Sequence, residues 1–332
     1  MLLWIGSLPL SAALVLAFAW PLDLGTRDPL ALDASWVAFM VRTFSFHGAG
    51  ALGAAAIAAL VLRAPRLGLL SLLVAATTAI LSGAAPVASP PPRPTTGAAL
   101  TLMTSNLWRN LRDVSRLVAQ IERDAPDVIV FQEYTPEHDA MLRAALSAAY
   151  PYIEAQPQRD FSGMATYSRL PMRQLSGRLL GPRGVAPTDP MHWERQLCCA
   201  VEVGTGDNAR EVVIQNIHLP TAPMGRSLLA HHHRLVRELA DWLADDARPV
   251  VCAGDFNCTP MSAEAGFLRA AGLTDAHRAV GTGLGATWGH RLVWPGFRID
   301  HVYTRGLRPL SCRVGQDIGS DHRPVLAVLE LP

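Results

Sequence analysis

The sequence predicts a mixed α/β domain behind an apolar, membrane-spanning front end. Three observations lead there. Hydrophobic residues make up 50% of the 332 positions, but they concentrate in the first ninety. From residue 99 onward, short apolar runs alternate with amphipathic helical stretches. Polar side chains suited to chemistry recur where those runs stop.

The front end holds three apolar runs, at about 1–20, 44–62 and 67–87, and a helix crossing a bilayer core needs about 20 apolar residues. Met1 to Trp20 carries no charge, and Phe44 to Leu62 has only His47 as an ionisable group. Core helices of a soluble domain are the alternative, but the runs lack an amphipathic period. Ala17-Phe18-Ala19 resembles a signal-peptide cleavage site, yet no basic segment precedes it, which favours a retained helix. Arg63 and Arg66 in the short second loop should stay cytoplasmic. The loop over 21–35, with one Arg and three Asp, suits the outside, so three spans place the C-terminal domain on the extracytoplasmic side of the cell membrane. Gly48, Gly50 and Gly53 suit close helix packing, and His47 reads as an interfacial histidine.

Residues 86–97 are rich in proline and read as an extended spacer. The expected organisation is a membrane region over 1–88, a linker over 89–98 and a soluble domain over 99–332. That domain is long enough for a two-layer core. Strands are expected at 99–105, 127–132, 164–168, 197–203, 211–217, 250–253, 299–304 and 325–331. Helices are expected from an Asn110 cap to about 124, at 136–148 and at 226–244, with Gly272 closing another.

Charge argues against one class of partner without removing nucleic acid as a substrate. Every basic residue is Arg, and after residue 100 there are 25 acidic residues against 24 basic ones. A tight, non-specific nucleic-acid binder carries a basic face, and bulk charge shows none. The five cysteines have neither framework nor zinc spacing and read as buried thiols.

The chemistry sits at strand ends. Asn106, Glu133, His218, Asp255, Asn257, Asp300 and the Asp321-His322 pair each lie at or beside the end of an apolar run. Asn106, Glu133 and Asp321 supply oxygen ligands for a hard cation, whereas the absence of paired His or Cys ligands argues against zinc. Asp255 and Asn257 are two apart, so on an extended backbone both face one way and can handle an attacking water. His322 supplies a proton carrier that Asp300 can orient, and His218 a second donor to phosphate. Bland readings stand beside these. Asp255-Phe256-Asn257 also fits an Asx turn, Asn106 a cap and Asp300 a strand end. Glu133 after five apolar residues is harder to dismiss, since a buried carboxylate needs a partner. His231-His232-His233 fans around a helix and reads as a solvated surface. The stretch 191–195 is a substrate loop or packing, and Trp288 and Trp294 stack on a base, meet lipid or pack.

Taken together, Ser105-Asn106-Leu107, Phe131-Gln132-Glu133, Gly163-Met164-Ala165 through Leu170-Pro171, Asn216-Ile217-His218-Leu219, Gly254-Asp255-Phe256-Asn257, Arg298-Ile299-Asp300-His301-Val302 and Gly319-Ser320-Asp321-His322-Arg323-Pro324 resemble the endonuclease/exonuclease/phosphatase superfamily. They arrive in family order across about 99–332. The resemblance implies a four-layer α/β/β/α sandwich and Mg2+-dependent phosphoester hydrolysis, with Mn2+ as the alternative ion. It places the metal at Glu133 with Asn106 and Asp321 close by, gives the water to Asp255 and Asn257, pairs Asp300 with His322 and sets His218 on the scissile phosphate.

The expected function is a membrane-tethered phosphodiesterase acting on DNA, RNA or a phospholipid headgroup, with the bilayer as partner through the N-terminal helices. The alternatives are a phosphomonoesterase, and a non-catalytic receptor or scaffold that keeps the fold. No protein partner is inferable.

Overall fold

The computed structural model describes residues 2–20, 28–81, 98–176, 196–204, 206 and 209–331. The Pro-rich spacer and the 191–195 stretch lie outside them. The chain divides into two compact units. One comprises Met1–Pro86, Thr221–Arg234 and Cys258–Phe267, and the other comprises Val87–Pro220, Leu235–Asn257 and Leu268–Pro332.

The first unit holds α1 (Leu2–Ala19), α2 (Pro29–Thr43), α3 (Ser45–Val61) and α4 (Pro65–Leu81). The three expected spans are thus joined by a fourth helix, α2, where a loop was expected. Its start is encoded locally. Asp28 accepts the amides of Leu30 at 2.8 Å and Ala31 at 3.4 Å, and Pro29 follows with a helical φ already set. No single helix among the described residues is long and apolar enough to cross a membrane. α2 and α3 together pass that test, but they are bent by 61° at Phe44. Of the three expected packing glycines only Gly48 meets a neighbouring helix, at Leu10 and Leu14 of α1, while Gly50 and Gly53 face open space.

Polar anchors hold this unit together. The buried Arg42 guanidinium donates to the carbonyls of Ala17, Phe18 and Trp20, capping the end of α1. Trp36 donates to the Ala222 carbonyl and Arg226 pairs with Asp33. His232 and His233 are buried, and His233 Nε2 lies 2.6 Å from Glu264 Oε1. This corrects the expectation of a solvated histidine run: the helix turns two of the three inward.

The second unit is built on two six-stranded sheets. The first comprises β1 (Ala98–Asn106), β2 (Val128–Gln132), β3 (Tyr152–Gln156), β4 (Met164–Ser168), β11 (Arg308–Val314) and β12 (Val325–Leu331), in the order β11-β12-β1-β2-β4-β3. The second comprises β5 (Met172–Ser176), β6 (Leu197–Val203), β7 (Arg210–His218), β8 (Val250–Asp255), β9 (Thr274–Asp275) and β10 (Asp300–Arg305), in the order β5-β6-β7-β8-β10-β9. Each sheet has a single parallel pair at its centre, β1 with β2 and β7 with β8, flanked by antiparallel strands. A helix joins each parallel pair, as parallel strands require. These are α5 (Ser115–Asp124) and α7 (Arg226–Asp245).

One apolar core lies between the sheets, with Leu100, Leu102, Val128 and Val130 facing Val201, Ile214, Val251 and Val302. The alternate residues of the first sheet, Met103, Ile129 and Phe131, pack with α5 and α6 (Pro136–Leu146) through Leu117, Ile121 and Leu142. The central strands of the second sheet are buried on both faces, and α7 buries Leu235, Val236, Leu239 and Leu243. Arg305 of β10 donates to the Leu243 carbonyl at the end of that helix. The expected mixed α/β architecture with two stacked sheets is the observed one.

One local expectation fails. α5 starts at Ser115, not near Asn110, because Asp113 accepts the Ser115 amide at 2.8 Å. α6 instead carries a capping box that the residue types hide: Thr135 and the His138 ring satisfy each other's backbone amides.

Candidate active site

Both parallel pairs end at the site. In the first sheet β1 stops at Asn106 opposite Gln132, the last residue of β2, and Glu133 follows. In the second sheet His218 ends β7 opposite Asp255, which ends β8. Asp255 also pairs with Asp300, the first residue of antiparallel β10. Ligand sites in sheets of this kind gather at such strand ends, where backbone pairing stops and side chains are released.

The backbone at these ends is tightly specified. Glu133 and Asn257 both adopt left-handed conformations, at φ 53 and 48. Gly254 has φ 151, and a Cβ there would lie 1.8 Å from the Ile217 carbonyl oxygen, so only glycine lets β7 and β8 close up beside the site.

Side chains then cross between the sheets. Asn106 Nδ2 donates to Asp255 Oδ2 at 3.1 Å and to Glu133 Oε1 at 3.4 Å, tying one sheet's strand end to the other's. Arg109 N donates to Glu133 Oε2 at 3.0 Å, and Trp108 N to Asn106 Oδ1 at 2.9 Å. His322 Nδ1 lies 2.8 Å from Asp300 Oδ2, while its Nε2 faces Asp255 Oδ2 at 3.8 Å. His218 Nε2 faces the same Asp255 oxygen at 3.7 Å, and its Nδ1 donates to the Phe161 carbonyl at 3.0 Å. Ser320 Oγ donates to the Asn106 carbonyl at 2.9 Å and accepts the His322 amide at 3.1 Å, seating the last motif on the first. Asp321 accepts Trp288 Nε1 at 3.2 Å.

Asn106, Glu133, His218, Asp255, Asp300 and His322 are therefore joined by direct contacts. Asp321 joins through Ser320 and His322. Asn257 departs from expectation. Its backbone is left-handed rather than extended, its amide donates to Asp255 Oδ1 at 2.8 Å, and its side chain donates to the Leu219 carbonyl at 2.8 Å. The Asx turn is real, so Asn257 holds the Asp255 carboxylate from the backbone instead of presenting a parallel side chain.

Burial sets the electrostatics. Burial alone would lower the His322 pKa, but the Asp300 and Asp255 carboxylates outweigh it and hold the imidazole up to about 10. Burial pushes Asp255 up to about 8, against the pull of His322 and with the push of Asp300. Burial lowers His218, opposed by Glu133. A protonated His322 thus lies between two acids, and its nitrogens occupy them. Although Asp255, Asp300 and His322 offer ligand atoms within 4.8 Å of one another, this arrangement suits proton handling better than a cation. Among the described residues Asp300 Oδ1 has no hydrogen-bond partner, and it is buried, an acceptor for a water or a substrate group.

Sequence reasoning missed the supports. Thr287 Oγ1 accepts the amides of Ile299 and Asp300, each at 3.2 Å, and its carbonyl accepts the Arg323 amide at 2.8 Å. One residue thereby fixes both ends of the Asp300–His322 pair. Gln132 donates to Asn216 at 2.7 Å between the sheets, and Asn216 donates to the carbonyls of Phe131 and Ala165. Polar residues inside otherwise apolar strands were the available signal. The five cysteines are buried thiols.

The fold is a two-sheet sandwich with acids, amides and histidines converging at its parallel strand ends. The family model for the endonuclease/exonuclease/phosphatase family matches residues 103–322. The chain belongs to that family, whose members are phosphoesterases and nucleases that generally use a divalent metal. Solved structures agree on the fold. A family protein from Bacteroides thetaiotaomicron is 16% identical with a TM-score of 0.55, covering 72% of this chain and 97% of that one. D. rerio TDP2 complexed with a single-strand DNA product is 17% identical with a TM-score of 0.52, covering 70% and 99%. A 3′ phosphatase from Neisseria bound to a product DNA hairpin is 20% identical with a TM-score of 0.52, covering 69% and 98%. Among curated proteins no sequence match was found.

Proposed function

We propose that this protein is a metal-dependent phosphodiesterase that uses an activated water and is tethered to a bilayer by its N-terminal helices. The observation that carries the reading is the contact chain from Glu133 through Asn106 to Asp255, and from there to His322 and Asp300. It sets hard oxygen donors beside a buried acid–imidazole pair, the two components that phosphoester hydrolysis needs.

The donor chemistry fits Mg2+, which takes carboxylate and amide oxygens. Glu133 and Asp321 are only partly buried and accept neutral N–H donors, and among the described residues no cationic side chain cancels their charge at hydrogen-bond distance. Asn106, Glu133 and Asp321 would hold the ion, which when bound neutralises phosphate charge and polarises the P–O bond. Asp255, held by the Asn257 amide and the Asn106 side chain, takes the proton from the attacking water. His322, kept charged by Asp300, stabilises charge growing on the phosphoryl oxygens, and His218 contacts a further oxygen.

Tethering is supported by composition and by large apolar side chains left more than half exposed in the first unit, among them Leu16, Ile57, Val61, Leu69 and Leu73. The Arg63 and Arg66 loop supports an extracytoplasmic catalytic domain. A C-terminal reporter fusion tests that sidedness.

The catalytic reading is tested on the full chain in detergent, with an aryl phosphodiester, an aryl phosphomonoester, DNA, RNA and phospholipid, in Mg2+ and in EDTA. Turnover of a diester that EDTA abolishes is expected. Activity untouched by EDTA, or retained in both Glu133→Gln and His322→Ala, overturns it.

A further inference from the structure

Among the described residues of the second unit, the large hydrophobic side chains exposed by more than a third are Trp108, Tyr152, Leu284, Leu292, Val293 and Trp294. Their distribution is uneven. Tyr152 pairs with Ser168, which in turn pairs with Val128 at the start of β2, the end of the strand away from Glu133. The other five lie on loops that lead into the site. Trp108 is two residues past Asn106, and Leu284 to Trp294 fall in the segment that ends at Asp300.

The tip of that segment is built, not merely exposed. Trp288 and Phe297 exchange backbone hydrogen bonds at 2.9 and 2.8 Å and close the excursion at its base. Gly296 has φ 88, and a Cβ there would lie 2.6 Å from the Trp288 carbonyl oxygen, so the closure requires glycine. Leu292 N and Val293 N both donate to the Gly289 carbonyl. Arg291 is fastened to both carboxylate oxygens of Asp317, at 2.5 and 2.6 Å. On this fixed frame Leu292 is 80% exposed and Trp294 83% exposed. The base is equally fixed to the chemistry, since Trp288 Nε1 donates to Asp321.

We propose that Leu292, Val293 and Trp294 form a finger that inserts into a lipid surface, so that the site receives a phosphoester headgroup presented at that surface. This rests on the phosphodiesterase reading above and names its substrate class. Three observations choose lipid over a nucleic acid. The tip combines two aliphatic side chains with one indole, the mixture that an interface of headgroups and acyl chains accepts. Its one arginine is already paired with Asp317, whereas a single-strand binder interleaves aromatics with free cations along a groove. The chain after residue 100 is near neutral and lacks bulk basic charge for a phosphate backbone.

The test uses the full chain reconstituted in phosphatidylcholine vesicles that contain a nitroxide-bearing lipid. The native cysteines are all buried, so Leu292→Cys gives one addressable thiol for an environment-sensitive fluorophore, and Tyr152→Cys gives the comparator. Strong nitroxide quenching at position 292 with little at 152 is expected. Equal, weak quenching at both positions overturns the finger. A response at 292 to a single-stranded oligonucleotide but not to lipid also overturns it and assigns the tip to bases.

A second arm compares substrates. Leu292→Ser with Trp294→Ser should cut turnover of vesicle phospholipid by about tenfold or more. Turnover of a soluble aryl phosphodiester should stay within about twofold. Equal loss on both substrates overturns the proposal. If the unaltered chain hydrolyses neither, the phosphodiesterase reading fails, and the quenching arm still decides the lipid contact by itself.

Discussion

The two sheets contribute unlike halves to the site. From the first come Asn106, Glu133 and, just ahead of β12, Asp321; from the second come His218, Asp255 and Asp300. Glu133 and Asp321 stay partly open to solvent and are held by a backbone amide and an indole. His218, Asp255 and Asp300 are no more than 4% exposed and are held mainly by one another and by His322. Carboxylates near water keep their charge at little cost and exchange ligands readily, which suits a cation. Buried ones must be compensated inside the protein, and at Asp255 burial outweighs that compensation and pushes the carboxyl up to about 8. His322, like Asn106, joins the halves, since it leaves the first sheet's chain and pairs with the second sheet's acid.

The largest expected effect would break this contrast. Asp255→Asn removes the carboxylate that faces both imidazoles and should lower kcat/KM by about 10³-fold to 10⁴-fold, with no rescue by added metal. Glu133→Gln should also disable the enzyme, but excess Mg2+ should recover part of the rate, read from metal titrations of kcat. Identical metal responses in the two variants would erase the distinction.

A smaller effect concerns stability on the buried side. Arg298 and Asp275, beside β10, share two contacts of 2.9 Å and are almost fully buried. Asp275→Asn leaves a guanidinium uncompensated and should cost about 3–5 kcal/mol in urea unfolding. Burial would raise the Asp275 pKa, but Arg298 outweighs it and depresses the group. The pair's contribution is therefore present above the ordinary carboxylate range and lost as pH falls below about 4.

The pH profile sharpens the proton-handling half. The proposed mechanism needs Asp255 without its proton and His322 with one. Hence kcat/KM should rise through about 8 and fall again near about 10. A flat profile over that range would remove Asp255 from the proton transfer. The smallest effect falls on the first sheet's surface, where Arg143 pairs with Asp139 at 2.8 Å on α6. Arg143→Ala should change unfolding free energy by less than about 1 kcal/mol, because exposed pairs are screened.

What was legible in the sequence follows the sheet order. All eight central strands were readable, as continuous or alternating apolar runs, because both of their neighbours and both faces are covered. The four edge strands, β3, β5, β9 and β11, were not. Their residues are mixed because one side meets solvent, as in Arg308-Pro309-Leu310-Ser311, or they are too short, as in Thr274-Asp275. α2 was missed for the opposite reason: its apolar residues are interrupted by Asp33, Ser35 and Arg42, which the fold employs as anchors.

By itself the sequence placed the candidate site residues at strand ends, because an apolar run stops where its strand leaves the core. It also determined the family, through motifs in fixed order. Tertiary structure decided the partnerships: that Asn106 reaches across to Asp255, that Asp300 takes His322, that Asn257 turns to support Asp255, and that Trp294 projects while Trp288 holds Asp321. Local periodicity carries no information about which strand end will face which, since that pairing is made by sheets stacking over residues far apart in the chain.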